Sequence, residues 1–179
     1  DTVTNKGGDV TVGADGNIEM PGGSTVEIET GGKKNSYSAE EDDTKLEYDP
    51  ETGIPTLKNG SVSLGTGSSV GVIYNTIDNS ENENFDEEEK ATITSTGKES
   101  PTVKNDGTIT VPRDGEVVID SEVKKGEGEN AVKEKARNKV SVPKNAKNDT
   151  VSVKPNTDGS ANITLQKEGD SITVNGMEY

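Results

Sequence analysis

The chain of 179 residues contains no cysteine, histidine or tryptophan, and only four Tyr and one Phe. Without cysteine it forms neither a disulfide framework nor a cysteine metal site. The absence of both Cys and His excludes Ser-His-Asp and Cys-His nucleophiles and histidine-ligated zinc. Paired carboxylates can still cleave a glycosidic bond, but saccharide clefts normally add aromatic platforms, which are scarce here. The inventory therefore predicts a protein that is not an enzyme.

Apolar residues are also scarce. Hydrophobic residues make up 26% of the chain and charged residues 30%, with a formal net charge of -15, a composition typical of disorder. The apolar residues that are present recur in an ordered pattern, and most are β-branched, with eighteen Val and ten Ile against four Leu. β-branched residues favour strands. We therefore expect a folded chain of strands and turns.

The negative charge is concentrated in the first half. Residues 1–90 contain 20 acidic and 6 basic side chains, whereas residues 91–179 contain 14 and 13. A strongly acidic half repels phosphate backbones, so we expect no nucleic-acid partner. No apolar run approaches the length of a membrane span, so we expect no membrane insertion in this segment.

A short pattern is written four times along the chain. DGNIEMPGGSTVEI at 15–28 recurs as DGTITVPRDGEVVI at 106–119, 91 positions later and without a gap. NGSVSLGTGSSVGV at 59–72 is a second copy, and DGSANITLQKEGDSITV at 158–174 is a looser fourth copy. The marker residues Ile18, Val62, Ile109 and Ile163 are 44, 47 and 54 positions apart. We therefore divide the chain into repeats of about 1–44, 45–90, 91–139 and 140–179.

Each copy follows two shorter alternating pieces, such as KLEY and TLK in the second repeat. Alternation of apolar and polar residues is the pattern of a strand with one buried face. Four such strands per repeat predict about sixteen in the chain. Asp-Gly and Asn-Gly pairs mark the turns, and we expect a positive φ at Gly16, Gly60 and Gly107.

These elements predict an all-β fold, and most simply a β-solenoid-like array that runs continuously through residues 1–179. Stacked coils cover one another, so a narrow core of Val and Ile suffices. The offset of 91 positions favours an alternative, two tandem immunoglobulin-like β-sandwiches of about 90 residues at 1–90 and 91–179. A four-bladed propeller also fits the period, but large side chains to fill its ring are few.

Two inserts interrupt the regular spacing of the predicted strands. The acidic stretch DNSENENFDEEE can be read as an EF-hand-like loop with Ca²⁺ as its only candidate cofactor; its ligands would be Asp78, Ser80, Asn82, Asn84, Asp86 and Glu89. Glu83 replaces the glycine of that loop and no clear helix flanks it, so a solvated loop is the competing interpretation. Residues 40–43 are a second acidic run. In the other insert, the helix formers from Glu129 onward indicate either a short surface helix or a solvated linker.

The stretches VPRDGEVVI and MPGGSTVEI, with their Asp-Gly turns, resemble the repeat regions of large secreted surface proteins of Gram-positive bacteria. The resemblance implies an extracellular, cell-surface location. Some proteins of this habitat also tie a buried Lys to an Asn in an internal isopeptide bond. We expect a non-enzymatic stalk, spacer or adhesive scaffold. The alternative is a glycan- or peptide-binding β module whose partner is a host or cell-wall glycan or protein.

Overall fold

A computed structural model describes residues 2–77, 87–125, 132–156, 159–169, 172–175 and 177–178. Within these ranges the chain forms strands and turns and no helix, so none that is long and apolar enough to cross a membrane. The strands are β1 (Thr2–Gly7), β2 (Thr11–Val12), β3 (Ile18–Met20), β4 (Thr25–Thr30), β5 (Lys33–Ser38), β6 (Thr44–Tyr48), β7 (Pro55–Lys58), β8 (Ser61–Ser63), β9 (Ser69–Ile77), β10 (Glu87–Ser95), β11 (Thr102–Lys104), β12 (Ile109–Pro112), β13 (Glu116–Lys125), β14 (Val132–Ser141), β15 (Thr150–Pro155), β16 (Ala161–Thr164), β17 (Thr173–Val174) and β18 (Met177–Glu178). The all-β prediction is confirmed. All sixteen strands expected from the alternation are present, and β5 and β18 are additional.

The strands form two open sheets, and each sheet keeps the order of the chain. One sheet has eight strands in the order β1-β4-β5-β8-β11-β12-β15-β16, and the other has ten in the order β2-β3-β6-β7-β9-β10-β13-β14-β17-β18. In the described residues all pairings are antiparallel except one, between β7 and β9. This arrangement is compatible with a β-sandwich. The stacked coils of a solenoid are not seen in these ranges.

One hydrophobic core takes side chains from both sheets. Alternation turns one face of each strand inward, as in β4, where Val26 and Ile28 are buried between exposed or half-buried neighbours. Their counterparts in the ten-stranded sheet include Leu46, Leu57 and Ile119. Burying one such side chain stabilises the fold by roughly 1.5–3 kcal/mol, so a modest number of Val and Ile supports the whole array.

Each copy of the repeated pattern consists of a strand, a corner and a strand of the opposite sheet. The chain crosses between sheets from β3 to β4, from β8 to β9, from β12 to β13 and from β16 to β17. The first copy crosses from the ten-stranded sheet to the eight-stranded one, and the other three cross in the opposite direction. The pattern therefore encodes a local crossing and does not fix which sheet comes first.

Both sheets continue across the middle of the chain. β10 spans residues 87–95 and pairs with both β9 and β13, while β8 pairs with both β5 and β11. A boundary between residues 90 and 91 falls inside β10. The division of the chain into domains stays a prediction.

The helix or linker expected from residue 129 onward is wrong for residues 132–139, which belong to β14. This strand pairs with β13 over ten residues, and Arg137 Nε donates to Asp120 Oδ1 over 2.7 Å across the pair. Helix propensity is a weak preference that tertiary pairing overrides, and here ten residues find partners in a neighbouring strand. Residues 129–131 lie outside the described ranges.

Candidate functional site

Three corners share one backbone geometry. In each, the amide of the fourth residue donates to the carbonyl of the first over 3.0 Å: Ser24 to Pro21, Ser68 to Gly65 and Gly115 to Pro112. The third residue has a positive φ, which is 84° at Gly23, 85° at Gly67 and 64° at Asp114. A positive φ at this position is what a type II turn requires. The repeated sequence therefore preserves a backbone shape.

A returning segment closes each of these corners. Its carbonyl accepts the amide of the third corner residue, and its amide donates to the carbonyl of the fourth, over 2.6–3.0 Å. The residues that make both bonds are Ala39 in the first corner, Ser95 in the second and Val142 in the third. All three are buried. Each corner is thus fixed by residues from another part of the chain.

A cleft of about 530 Å³ lies between the second and third corners. Its lining residues are Thr66, Thr96, Gly97, Lys98, Asp114, Gly115, Glu116, Ser141 and Val142. Thr66 Oγ1 donates to the carbonyl of Gly97 over 2.8 Å, and the amide of Lys98 donates to the carbonyl of Asp114 over 3.0 Å. The loop after β10 therefore bridges the two corners and forms one wall of the cleft.

Glu116 is the best-anchored charged group of this cleft. Thr96 Oγ1 donates to Glu116 Oε1 over 2.7 Å, Ser141 Oγ donates to Oε2, and Lys139 Nζ lies 3.4 Å from Oε1. Burial raises the pKa of this carboxyl, but the hydrogen bonds from Ser141 and Thr96 and the charge of Lys139 outweigh it, so the pKa is lowered. A general acid needs a raised pKa. The lowered pKa favours the charged carboxylate, which suits a group that anchors the corner or binds a partner.

The carboxylate distinguishes the third corner from the first two. The repeat places Thr25 and Ser69 where the third corner has Glu116. Ser69 Oγ lies 2.7 Å from Thr94 Oγ1, its partner across the strand pair. The first two corners thus keep a neutral hydroxyl at this position, and the anionic cleft belongs to the third copy.

The outer face of the eight-stranded sheet presents a row of hydroxyl side chains. Successive strand pairings align one residue from each strand: Thr4, Glu27, Ser36, Ser63, Thr102, Thr110, Ser152 and Thr164. None of the eight is buried. With strands about 4.8 Å apart, the row is about 34 Å long. We call these eight residues the hydroxyl row.

Glu27 is the one charged member of the hydroxyl row. Lys34 Nζ lies 3.2 Å from Glu27 Oε1 and Lys6 Nζ lies 3.5 Å from Oε2. The hydrogen bond from Lys34 is the main cause of the lowered pKa of this carboxyl. The charge is therefore matched locally, and the remaining seven positions are neutral donors and acceptors.

The outer face of the ten-stranded sheet is charged instead. A row across its middle strands aligns Thr92, Asp120 and Arg137, and Lys45 Nζ lies 3.6 Å from Glu47 Oε1 on β6. The two outer faces of the array thus offer different chemistry to a partner.

The residues proposed for Ca²⁺ lie mostly outside the described ranges, namely Asp78, Ser80, Asn82, Asn84 and Asp86. Glu89 is on β10, opposite Asn75. Within the described ranges, no group of three or more His, Cys, Asp or Glu residues could hold a metal ion. The Ca²⁺ site stays a prediction.

Two lesser expectations concern charged side chains. The acidic run at 40–43 is exposed between β5 and β6, where Asp43 Oδ1 accepts the amide of Gly22 over 3.2 Å. No lysine with a described side chain is buried, so the described residues offer no buried lysine for an isopeptide bond.

Sequence reasoning missed both Glu116 and the hydroxyl row. The sequence did contain one indication of Glu116, because the third copy of the repeated pattern has an acid where the first two copies have a hydroxyl residue. The row had no local signal, because it depends on the register of seven strand pairings.

Comparisons of this chain with protein-family models, with curated protein sequences and with solved structures each found no match.

Proposed function

We propose that the chain is a non-enzymatic segment of an extracellular surface protein and acts as a stalk, spacer or adhesive scaffold. The observation behind the proposal is the order of the strands, which in both sheets follows the order of the chain. Successive strands of each sheet therefore advance along one axis. Nine strand spacings in the ten-stranded sheet correspond to about 43 Å, the distance over which the segment separates what is attached to its two ends.

We further infer that the two sheets form one elongated β-sandwich. Their inward side chains belong to a single hydrophobic cluster, and facing sheets with a shared core are the basis of sandwich packing. The acidic exterior keeps such a body soluble and well separated from other chains. The extracellular location is supported by the resemblance of the corner sequences to surface-protein repeats.

A rigid spacer holds its ends at a fixed distance, which can be measured directly. Because the chain has no cysteine, dyes can be attached at Thr4→Cys and Thr164→Cys, the exposed ends of the hydroxyl row. We expect a narrow distance distribution near 34 Å that stays narrow until the chain unfolds cooperatively. A broad distribution under native conditions would rule out the spacer.

A glycan-binding module is the second candidate, favoured by the hydroxyl row and by the Glu116 cleft. Single exposed hydrogen bonds add little because water competes for the same groups, whereas a ligand with repeating hydroxyls engages several positions at once. On a glycan array we expect hits for one sugar class to be lost in Ser63→Val with Thr102→Val, or in Glu116→Gln. The control is Thr92→Val on the other outer face. If no glycan on the array binds, the glycan-binding candidate is rejected and the spacer function is the one that stands.

A further inference from the structure

Asn59 and Gly60 form the corner at which the chain passes from β7 of the ten-stranded sheet to β8 of the eight-stranded sheet. Both residues have a positive φ, 60° at Asn59 and 83° at Gly60. Asparagine and glycine tolerate this conformation better than other residues. A Cβ at Gly60 would also collide with the carbonyl oxygen of Ser38 and with Thr44 Oγ1. The corner therefore requires glycine at its second position and favours asparagine at its first.

The backbone amide of Gly60 differs from the amides of the matching glycines in the other copies of the repeated pattern. The amides of Gly16, Gly107 and Gly159 each donate to the carbonyl oxygen three residues earlier, over 3.0–3.2 Å. Among the described residues, the Gly60 amide donates to no acceptor. The preceding residue is asparagine in this copy and aspartate in the other three. This corner thus combines a side-chain amide with an unbonded backbone nitrogen.

The exposed Asn59 side chain makes one hydrogen bond with the described residues, in which Nδ2 donates to the carbonyl oxygen of Asp43 over 3.1 Å. Asn175 precedes the other Asn-Gly bond of the chain. Its Oδ1 accepts the amide of Lys139 over 2.7 Å, and its Nδ2 donates to Asn138 Oδ1 over 3.0 Å. The side-chain amide of Asn59 is therefore less firmly held than that of Asn175.

We infer that Asn59 deamidates through attack by the Gly60 nitrogen. After the Gly60 amide loses its proton to solvent base, its nitrogen bonds to Cγ of Asn59 and closes a five-membered succinimide ring. The Cγ–Nδ2 bond breaks, and Nδ2 takes a proton from water and leaves as ammonia. A second water opens the ring at either carbonyl carbon, which leaves aspartate or isoaspartate at position 59. The attack is intramolecular, which favours it, and glycine adds no side chain that blocks it.

Deamidation changes the contacts of this corner. A carboxylate at position 59 cannot donate to the carbonyl oxygen of Asp43, and it adds a negative charge next to the exposed acidic run at residues 40–43, which repels it. Isoaspartate also adds one methylene to the backbone that joins the two sheets. Because β8 lies inside its sheet, between β5 and β11, we expect the modified chain to be less stable.

Peptide mapping by mass spectrometry during storage of the folded chain at pH 7 and pH 8 tests the inference. We expect the peptide that contains residue 59 to convert to two isomers in which a carboxyl group replaces the amide. Conversion should be about ten times faster at pH 8, since the deprotonated fraction of a weak acid rises tenfold per pH unit below its pKa. Asn175 should convert at least about fivefold more slowly than Asn59, because more of its hydrogen bonds must break.

Asn59→Gly is the matched control, because glycine keeps the positive φ and has no side-chain amide. The melting temperature of the parent chain should fall during storage, whereas that of Asn59→Gly should stay as in the fresh sample. The inference is wrong if residue 59 keeps its amide in the folded chain while it converts in the same chain unfolded in urea, or if Asn175 converts first. An equal fall in the melting temperature of Asn59→Gly would also overturn the link between this corner and the loss of stability.

Discussion

Gly23, Gly67 and Asp114 occupy the same left-handed position in three corners. A substitution at Gly23 measures the backbone strain that a residue with a Cβ meets at this position. A Cβ added at Gly23 would meet nothing within 4 Å, but its φ is 84°. Gly23→Ala should therefore destabilise the fold by about 1–2 kcal/mol through backbone strain alone. Urea unfolding measures the change. Gly7→Ala is the matched control, because its surroundings are equally open and its φ is not positive; equal losses in the two variants would contradict the turn assignment.

The Glu116 carboxylate makes stability depend on pH. Its pKa is lowered from the ordinary value of 4.5, so the unfolded chain binds a proton more readily than the folded one. The contribution of Glu116 is therefore fully present above about pH 4.5 and is lost as the pH falls through the lower folded pKa. Melting temperatures between pH 6 and pH 3 should fall less steeply for Glu116→Gln than for the parent chain.

The control for this acid titration is Glu51→Gln, in the exposed turn between β6 and β7. It should leave the pH dependence of the melting temperature as in the parent chain. If Glu116→Gln also followed the parent curve, the hydrogen bonds from Thr96 and Ser141 would not be the source of the effect.

Some residue-level features were readable in the sequence because they are local. The positive φ expected at Gly16, Gly60 and Gly107 is confirmed, at 84°, 83° and 91°, since Asp-Gly and Asn-Gly pairs carry their own turn chemistry. The environment of Glu116 was not readable. Thr96 and Ser141 are 20 and 25 positions away, and only strand pairing brings them together.

At the scale of elements, β5 depends on one side chain. Its sequence, KKNSYS, has Tyr37 as its only large apolar residue, and Tyr37 is 1% exposed. Tyr37→Ala should cost about 3–5 kcal/mol, because it removes the aromatic group that attaches β5 to the core. Denaturant unfolding provides the measurement.

Tyr37→Phe separates packing from hydrogen bonding in this strand. The phenol oxygen has a long contact of 3.5 Å with Asn35 Nδ2, so losing the hydroxyl should cost about 1 kcal/mol or less. If Tyr37→Phe were as damaging as Tyr37→Ala, the hydroxyl and not the ring would hold β5.

Strands were predictable where apolar and polar residues alternate, and this covers sixteen of the eighteen. β5 was not predicted because all its residues other than Tyr37 are polar, so apolar and polar residues do not alternate in it. In β14 only the end from Val140 was predicted as a strand. Residues 132–139 were misjudged because Glu, Lys and Ala favour a helix locally, whereas the decisive interaction is pairing with β13. Alternation reveals which face of a strand is buried, but it does not say in which sheet the strand lies.

At the scale of the whole molecule, continuous sheets predict graded protection from hydrogen exchange. Amides of the central strands β8, β11 and β12 should exchange slowest, and protection should fall toward β1 and β16, because edge strands open first. Exchange followed by mass spectrometry measures this profile. Two slow blocks separated by a fast region near residue 90 would instead indicate two independent domains.

The chain-ordered strands have a mechanical consequence. The first strands lie at one end of both sheets and the last strands at the other, so tension between the ends acts along the hydrogen bonds between strands. Such a load breaks the hydrogen bonds of one strand pair at a time, in the unzipping geometry. It does not load many strand pairs in shear at once. Under pulling, the body of about 43 Å would lengthen in small steps toward a contour of about 600 Å. The molecule should therefore keep its length under compression but extend stepwise under a pulling force.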